Sequence, residues 1–327
     1  MKIFLHVFII LFLLILKPLI AIDPINYNQL QEVGLLGYGL SPIAVKGVNL
    51  YEIKDTNKVV AVKELYKERN WKNEVRGLYN IGKAPYTVGL IAVIEGKVAS
   101  ESQQERNAPV WLLMEPYLGG TLGDAVGHFT GRKFESDYES VLVIDYKNLP
   151  SLKNIDVVKF YIANLGLILD YIHNEAKWVW RDVKPANILL DSKTGYLVGV
   201  DFGISEKLSE ASDPKKLIIE DWQQLGKRVL REGFRINKEM ADFNEHPNDL
   251  KDLVDQLSAG QIVSLDDLKK HSFFNKFDWE SMKNRTLIAP YLPPCRLIQC
   301  GNFEPYRKSN DEKVYFSDEY KEIVKAL

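Results

Sequence analysis

Three stretches of this 327-residue sequence predict an α+β fold. The run KVVAVKELYKE, at residues 58–68, alternates β-branched residues with others and is typical of a strand. The run WKNEVRGLYNI, at residues 71–81, follows it and has the spacing of a helix. Later in the chain, an apolar helical run precedes the polar turn WRDVKPAN and two short apolar strands, ILL and YLVGV. No internal repeat is present, so we expect these strands and helices to form one folded unit.

The overall composition is that of a globular protein with a large core. Apolar residues make up 46% of the chain and charged residues 26%, which is usual for such proteins. The formal net charge is -2, so the sequence gives no indication of a nucleic-acid partner.

The first 21 residues, MKIFLHVFIILFLLILKPLIA, are typical of a secretory signal peptide. One basic residue precedes an apolar run that is short for a membrane span, and cleavage is expected after Ala21. Leu19 is a mediocre residue at the third position before the cut, so an uncleaved signal anchor is the alternative. In both cases the rest of the chain enters the secretory route, and it contacts a membrane only if the segment is retained.

The stretch WRDVKPANILL, followed after a short turn by VGVDFG, carries four polar residues in the order that phosphoryl transfer requires. Asp182 would orient the acceptor hydroxyl and accept its proton, and Lys184 would lie against the transferring phosphate. Asn187 and Asp201 would hold Mg²⁺ on the nucleotide. The alternative is that such residues are common in turns, but the flanking helix and strands favour a catalytic loop.

A lysine and a glutamate upstream complete this pattern. Lys63 ends the alternating strand, and Glu74 lies on the helix that follows. With these residues the chain resembles the eukaryotic protein kinase family from about Leu30 to the C-terminus. The resemblance implies a small β-rich lobe over a larger, mainly helical lobe, with ATP in the cleft. It also implies that Lys63 binds the α- and β-phosphates while Glu74 holds Lys63 in place.

Within the family, the chain is most similar to the AGC group of serine/threonine kinases, especially the cyclic-nucleotide-dependent ones. An aromatic residue often precedes Arg-Asp in that group, and here it is Trp180. The run KKHSFFNKFDWESMKNRTLIAPYLPP resembles the last helix and the start of the group's C-terminal tail. GNFEPY then resembles the tail motif that contacts adenine, which assigns that role to Phe303.

The resemblance also divides the chain and assigns its nucleotide pocket. It implies an N-lobe at about 30–115, a C-lobe at about 118–280 and a tail at about 281–327. Gly37 and Gly39 match the first two glycines of the phosphate-covering loop, and Pro42 occupies the third glycine position. The remaining pocket residues are expected to be Met114 behind the adenine and the backbone of Glu115 to Tyr117 along its edge. Leu78, Leu90, Trp180 and Phe202 would stack as a packed column or serve as ordinary core.

The segment after Gly203 departs most from the family. About 17 residues separate it from Asp221, which resembles the start of the large lobe's central helix, and no Ala-Pro-Glu motif is present. The surface that normally holds a peptide substrate is therefore expected to be reduced. Arg181 could form an ion pair with a phosphate group, and Ser205, Ser209 and Ser212 are nearby candidates for phosphorylation. So short a segment instead favours constitutive activity or control by a partner.

Two positions bear on the acceptor. Basophilic members of the family have acidic residues where this chain has Ala186 and Arg231. Arg231 would repel a basic acceptor residue and favour an acidic or phosphorylated one, or else it is a solvated helix residue. Arg-rich peptides are therefore expected to be poor substrates.

The sequence does not assign a single role to three further features. Cys295 and Cys300 could form a small disulfide loop or be two inert thiols. The triplet beginning at Asn284 is a glycosylation sequon. An insertion of unknown purpose lies between Gly123 and Asp156.

The sequence thus predicts a secreted or lumenal, monomeric kinase that uses ATP and Mg²⁺ to phosphorylate Ser or Thr of proteins. The alternatives are a pseudokinase-like binding module and a small-molecule kinase. Retention of the five residues Lys63, Glu74, Asp182, Asn187 and Asp201 favours catalysis, because a scaffold does not need all of them.

Overall fold

The computed structural model describes residues 25–37, 47–66, 71–83, 85–96, 109–129, 154–236, 246–295, 303–308 and 312–321. Residues 1–24, Gly39, Pro42, Cys300 and most of the 123–156 insertion lie outside these ranges. The predictions made for them therefore stay predictions. Within the described ranges no helix is both long and apolar enough to span a bilayer.

The N-terminal part is a twisted sheet built on five antiparallel strands in the spatial order β1-β2-β3-β5-β4. They are β1 Leu30–Gly37, β2 Val48–Ile53, β3 Lys58–Leu65, β4 Leu90–Glu95 and β5 Val110–Met114. Strands β4 and β5 are almost fully buried, in keeping with their continuous apolar runs. The strand β3 therefore lies in the middle of the sheet and holds Lys63 between Val48 of β2 and Leu112 of β5.

One helix, α1 at Trp71–Ile81, packs on this sheet. Its apolar residues fall on one face, so Val75, Leu78 and Ile81 are fully buried. Glu74 lies on the same buried side, and this placement directs its carboxylate towards Lys63.

The C-terminal part is mainly helical. Its helices are α2 Leu122–Phe129, α3 Ile155–Asp170, α4 Pro214–Gln224, α5 Asn248–Ala259, α6 Leu265–Lys270 and α7 Trp279–Lys283. Helix α3 is buried over nearly its whole length and ends in a π-helical turn, Tyr171–Glu175. Helix α4 likewise continues as a π-helical stretch, Leu225–Gly233. The catalytic loop predicted from the sequence lies against these two helices.

Two short pairs of antiparallel strands frame that loop. Strands β7 Ile188–Leu190 and β8 Leu197–Gly199 pair with each other, as do β6 Trp178–Val179 and β9 Glu206–Lys207. The first pair is formed by the two apolar strands that the sequence predicts after the polar turn. The second attaches the segment after Gly203 to the strand that precedes the catalytic loop.

The C-terminal tail returns to the N-terminal sheet. Strand β10 at Glu304–Pro305 runs parallel to the start of β3, and β11 at Tyr315–Phe316 runs parallel to β4. The sheet therefore has seven strands. The predicted two-lobed α+β fold is confirmed, and part of its tail belongs structurally to the β-rich lobe.

Candidate active site

Three charged residues predicted to bind nucleotide and metal lie together. The Lys63 ammonium is 3.0 Å from the Glu74 carboxylate and 3.0 Å from the Asp201 carboxylate. The Lys63 and Glu74 side chains are mostly buried, whereas the Asp201 side chain is 42% exposed. The predicted lysine–glutamate pair is therefore formed, and the Asp201 carboxylate is accessible from solvent.

The pKa values in this cluster reflect burial and close charges. Burial disfavours the charged form of Lys63, but Glu74 and Asp201 outweigh it and raise the pKa of Lys63. Burial raises the pKa of Glu74, although Lys63 opposes this. For Asp201, burial acts against ionisation, but Lys63 is strong enough to lower the pKa of this carboxyl. The site therefore holds a charged lysine and an ionised Asp201 at neutral pH.

Backbone geometry explains why these side chains meet. Asp201 has a φ of 66°, in the left-handed region that non-glycine residues rarely occupy, and this turn aims its carboxylate at Lys63. Gly203 lies beside Glu74, where an added Cβ would lie 2.5 Å from Oε2. The glycine after Phe202 is thus required by the close approach of α1.

The catalytic loop places Asp182 among three donors. One carboxylate oxygen contacts the Lys184 ammonium at 2.5 Å and accepts a hydrogen bond from the Asn187 amide at 2.9 Å. The other contacts the guanidinium of Arg228, also at 2.9 Å. The predicted residues Asp182, Lys184 and Asn187 are therefore brought together, and Arg228 joins them from the π-helical continuation of α4.

Asp221 holds the loop in this shape. Its carboxylate is completely buried and accepts hydrogen bonds from the backbone N–H groups of Trp180 and Arg181, at 2.8 and 2.7 Å. The buried His173 ring contacts the same carboxylate at 2.8 Å. Arg181 has a φ of 69°, so these bonds fix a backbone conformation that is unfavourable on its own. The sequence had indicated Asp221 only as the start of the large lobe's central helix.

Trp180 connects the two halves of the site. Its indole N–H donates to the Asp201 carbonyl at 3.3 Å, and its ring centroid lies 5.7 Å from that of Phe202. Leu78, Leu90, Trp180 and Phe202 are all fully buried in one apolar cluster. This cluster includes residues of α1, the sheet and both loops, so the burial fits a packed column and ordinary core equally well.

The segment joining the two lobes contains the predicted adenine-pocket residues, Met114 and Glu115 to Tyr117, and they are buried. Met114 ends β5 opposite Ala61 and is 2% exposed. The Glu115 N–H donates to the Gly89 carbonyl, and Pro116 has no N–H. The groups of this segment suited to an adenine edge are therefore the Glu115 carbonyl and the Tyr117 N–H.

The tail is fastened to the same segment. The Arg307 guanidinium donates to the Pro116 carbonyl at 2.7 Å and lies 4.4 Å from the Tyr117 ring centroid. The Lys308 N–H donates to the Glu115 carboxylate at 2.9 Å. Phe303 packs on a separate apolar cluster that contains Leu118. These contacts bring the predicted adenine residue to the lobe junction, although the sequence did not indicate Arg307 or Lys308.

The donors present fit a magnesium ion bound together with phosphates. The described part of the chain contains no group of three or more His, Cys, Asp or Glu side chains that could hold a metal alone. Mg²⁺ is commonly held by one or two carboxylates and by substrate phosphates, and it prefers oxygen ligands. The exposed Asp201 carboxylate and the Asn187 amide oxygen supply such ligands.

Gly37 ends β1 opposite Val48, close to the start of the phosphate-covering loop expected from the sequence. Gly39, the second predicted glycine, lies outside the described residues.

The expected free charge of Arg231 is not observed. Its guanidinium forms an ion pair with Asp255 of α5 at 2.5 Å. The sequence left two interpretations for Arg231, a contact with an acidic residue of the acceptor or a solvated helix position, and the structure gives its guanidinium a partner within the protein. The arginine that contacts Asp182, alongside Lys184, is Arg228, three residues earlier, and no sequence signal had distinguished it.

A two-lobed fold with this lysine–glutamate pair and these two aspartates is characteristic of protein kinases. The sequence profile described as "Protein kinase domain" matches residues 30–224, more than half of the chain, so the chain belongs to the protein kinase family.

Curated relatives are serine/threonine kinases of the AGC type, as expected. The serine/threonine-protein kinase sgk-1 of Caenorhabditis elegans is 27% identical over 82% of this chain and 60% of its own length. The cGMP-dependent protein kinase egl-4 of Caenorhabditis elegans is 28% identical over 62% of this chain and 29% of its own length. The cAMP-dependent protein kinase type 3 of Saccharomyces cerevisiae is 27% identical over 52% of this chain and 53% of its own length. The chain thus spans less than two thirds of these relatives.

Proposed function

We propose that this chain is an active kinase that transfers the γ-phosphate of ATP to Ser or Thr hydroxyls of proteins, with Mg²⁺ as the metal. The observation that carries the proposal is the meeting of two complete residue sets. Lys63, Glu74 and Asp201 form one within 3.0 Å contacts. Asp182 with its donors forms the other, and Lys184 is near enough to help lower the pKa of Asp201. A scaffold that only docks has no need for both sets.

The arrangement supports a division of labour in the reaction. Lys63 binds the nucleotide phosphates, and Asp182 orients the acceptor hydroxyl and takes its proton. Lys184, on the same carboxylate, neutralises charge on the transferring phosphoryl group. Bound Mg²⁺ would supply further neutralisation of phosphate charge, held by Asn187 and Asp201.

The test is Mg²⁺-dependent ATP turnover by the chain from residue 22 onwards, with Asp182→Asn as control. We expect turnover in the native chain and a loss on the order of 10²-fold or more in the variant, because the proton acceptor is gone while the fold is kept. Clean nucleotide binding without turnover would favour the pseudokinase alternative. Turnover that survived in the variant would remove Asp182 from its role.

We also propose that the residues flanking the acceptor Ser or Thr are not basic. Arg228 supports this, because its guanidinium touches the catalytic carboxylate and its side chain is 45% exposed. An acceptor hydroxyl approaching Asp182 must pass close to this cation. An unlike charge about 4 Å away is attracted by about 1 kcal/mol in water and more where water is excluded, so an acidic or phosphorylated neighbour is favoured.

A peptide array with fixed acidic, phosphorylated or basic residues around a central serine tests this preference. Arg228→Gln is expected to raise the KM for the best acidic peptide about fivefold to tenfold, because it removes an attraction of about 1 kcal/mol or more. Arg228→Lys keeps the charge and serves as the matched control. Enrichment of arginine before the acceptor would contradict the proposal, and a fall in kcat alone would give Arg228 a positioning role.

The secretory setting is proposed from the sequence of residues 1–21, and the sequon adds support. Asn284 and Thr286 are exposed at the end of α7, where a glycan could be attached. Expression in a eukaryotic secretory host should give a protein whose mass falls on N-glycosidase treatment, and Asn284→Gln should abolish that shift. A protein retained in the cytosol with an unprocessed N-terminus would contradict the proposal.

A further inference from the structure

The segment between Gly203 and Asp213 is held by two arginines from other parts of the molecule. Arg76 of α1 contacts Glu210 with both terminal nitrogens, one of them at 2.9 Å. Arg181 of the catalytic loop donates to Glu206 at 3.0 Å. Each pair joins an element that positions a catalytic group to the segment after Phe202.

Backbone pairing reinforces these ion pairs. Glu206 and Lys207 pair with Val179 and Trp178, and the Leu208 N–H donates to the Lys177 carbonyl at 2.9 Å. The Arg76 guanidinium also lies 5.3 Å from the centroid of the Trp178 ring. The glutamates are therefore presented from a paired strand and the turn after it, which reduces the entropy lost on forming the ion pairs.

Helix α1 and the segment are also in direct contact at Gly77. A Cβ at this position would lie 2.6 Å from the Phe202 carbonyl oxygen and 2.8 Å from Ser205 Oγ. Ser205 Oγ donates to the same carbonyl at 2.7 Å. The Ser205 hydroxyl is thus engaged in a hydrogen bond beside α1, whereas Ser209 and Ser212 are exposed and open to modification.

The two glutamates bind arginines of other elements, as a phosphate does on a longer segment. A phosphorylated residue orders a loop by attracting arginines that belong to other elements, and a bidentate arginine–carboxylate pair is a weaker, permanent version of that contact. We infer that Glu206 and Glu210 are positioning residues that hold α1 and the catalytic loop in the transfer-competent arrangement without phosphorylation. This inference rests on the proposed kinase function.

The route of action is explicit for Glu210. It holds Arg76, which lies two residues after Glu74 on the same helix, and Glu74 in turn holds Lys63. Glu206 acts through Arg181, the residue next to Asp182. Both pairs are partly exposed, so salt screens them and each alone has a small effect. The double variant is therefore the informative one.

The experiment compares Glu206→Gln/Glu210→Gln with Glu220→Gln, which alters an exposed ion pair on α4. We expect the double variant to lower kcat about fivefold and to leave the melting temperature close to that of the control, since exposed pairs contribute little to stability. Arg76→Glu combined with Glu210→Arg should restore part of the loss. Phosphatase treatment of the native chain and Ser209→Ala/Ser212→Ala should leave kcat unchanged.

A second readout does not depend on turnover. Hydrogen exchange of the α1 amides should be slow in the native, phosphate-free chain and about tenfold faster in the double variant. If the native chain binds Mg-ATP but transfers no phosphate, the proposed function fails, while this exchange difference still decides the positioning role. Unchanged α1 exchange in the double variant would overturn the inference, and so would loss of activity after phosphatase treatment.

Discussion

The nucleotide side and the acceptor side of the active site are built in different ways. On the nucleotide side, Lys63 lies between Glu74 and Asp201 in a mostly buried cluster. On the proposed acceptor side, Asp182 is contacted by the half-exposed Arg228, and a short segment is fixed to Arg76 and Arg181 by partly exposed carboxylates. The paired Lys63 and Glu74 side chains are therefore shielded from solvent. The acceptor differs between kinases, and there this chain uses solvent-exposed charges that are easily altered.

The largest expected effect lies on the nucleotide side. Asp201→Asn removes a carboxylate that pairs with Lys63 and is the expected metal ligand. We expect ATP turnover to fall on the order of 10³-fold, in line with the loss of a main electrostatic group at a reacting phosphate. Turnover should be measured at saturating Mg²⁺.

Asp213→Asn is a matched control for that variant, because Asp213 caps the start of α4 far from the cleft chemistry. It should lower stability slightly and leave turnover unchanged. If Asp201→Asn lowered turnover no more than this control does, Asp201 would not be a main electrostatic group of the reaction.

The boundary between the two sides is tested by Gly77→Ala. The new methyl group would lie within 3 Å of the Phe202 carbonyl oxygen, so α1 must move away from the segment. Overpacking of this kind costs about 1–3 kcal/mol, and because α1 carries Glu74 we expect turnover to fall about tenfold. Turnover and thermal unfolding should be measured together.

Gly226→Ala is the comparison for overpacking alone, because its Cβ would meet Ser258 of α5 instead. It should destabilise the chain without changing the KM for ATP. An unchanged KM for ATP in Gly77→Ala would mean that α1 does not transmit the shift to Lys63.

The sequence could predict the nucleotide side because its residues follow regular elements. Lys63 lies on a central strand and Glu74 on an amphipathic helix, so the spacing along the chain fixes their direction. The contact between Arg76 and Glu210 joins residues 134 positions apart, and Arg228 lies 46 positions from Asp182. Such contacts depend on how a short segment and a π-helical stretch lie in space. No local pattern records that, and for the same reason Asp255 was not foreseen as the partner of Arg231.

A pH dependence is expected on the nucleotide side. Because burial raises the pKa of Glu74, this carboxyl takes up a proton at a higher pH than an ordinary glutamate. Protonation removes one of the two anionic partners of Lys63, so affinity for Mg-ATP should fall as the pH drops from neutrality into the acid range. Lys63 stays charged over this range, because its own pKa is raised.

The control is Glu74→Gln, which is uncharged at every pH and should bind Mg-ATP weakly with a flatter profile. The stability linkage has the opposite sign. A raised carboxyl pKa in the folded state stabilises the fold below the ordinary pKa and loses that contribution as the pH rises through the raised value. A steep affinity profile that persisted in Glu74→Gln would assign the titration to another group.

The smallest expected effect separates two arginines that lie on the same π-helical stretch. Arg231→Gln breaks the ion pair with Asp255, and both side chains are more than a third exposed, so stability should change by about 0.2–1 kcal/mol. Because the Arg231 guanidinium contacts Asp255 of α5, whereas the Arg228 guanidinium contacts Asp182, we expect the peptide preference to stay the same in this variant and to change in Arg228→Gln. Equal shifts in peptide preference from the two variants would mean that peptide selection depends on the general positive charge of this π-helical stretch. In that case, the contact between Arg228 and Asp182 would lose its role in selecting the acceptor.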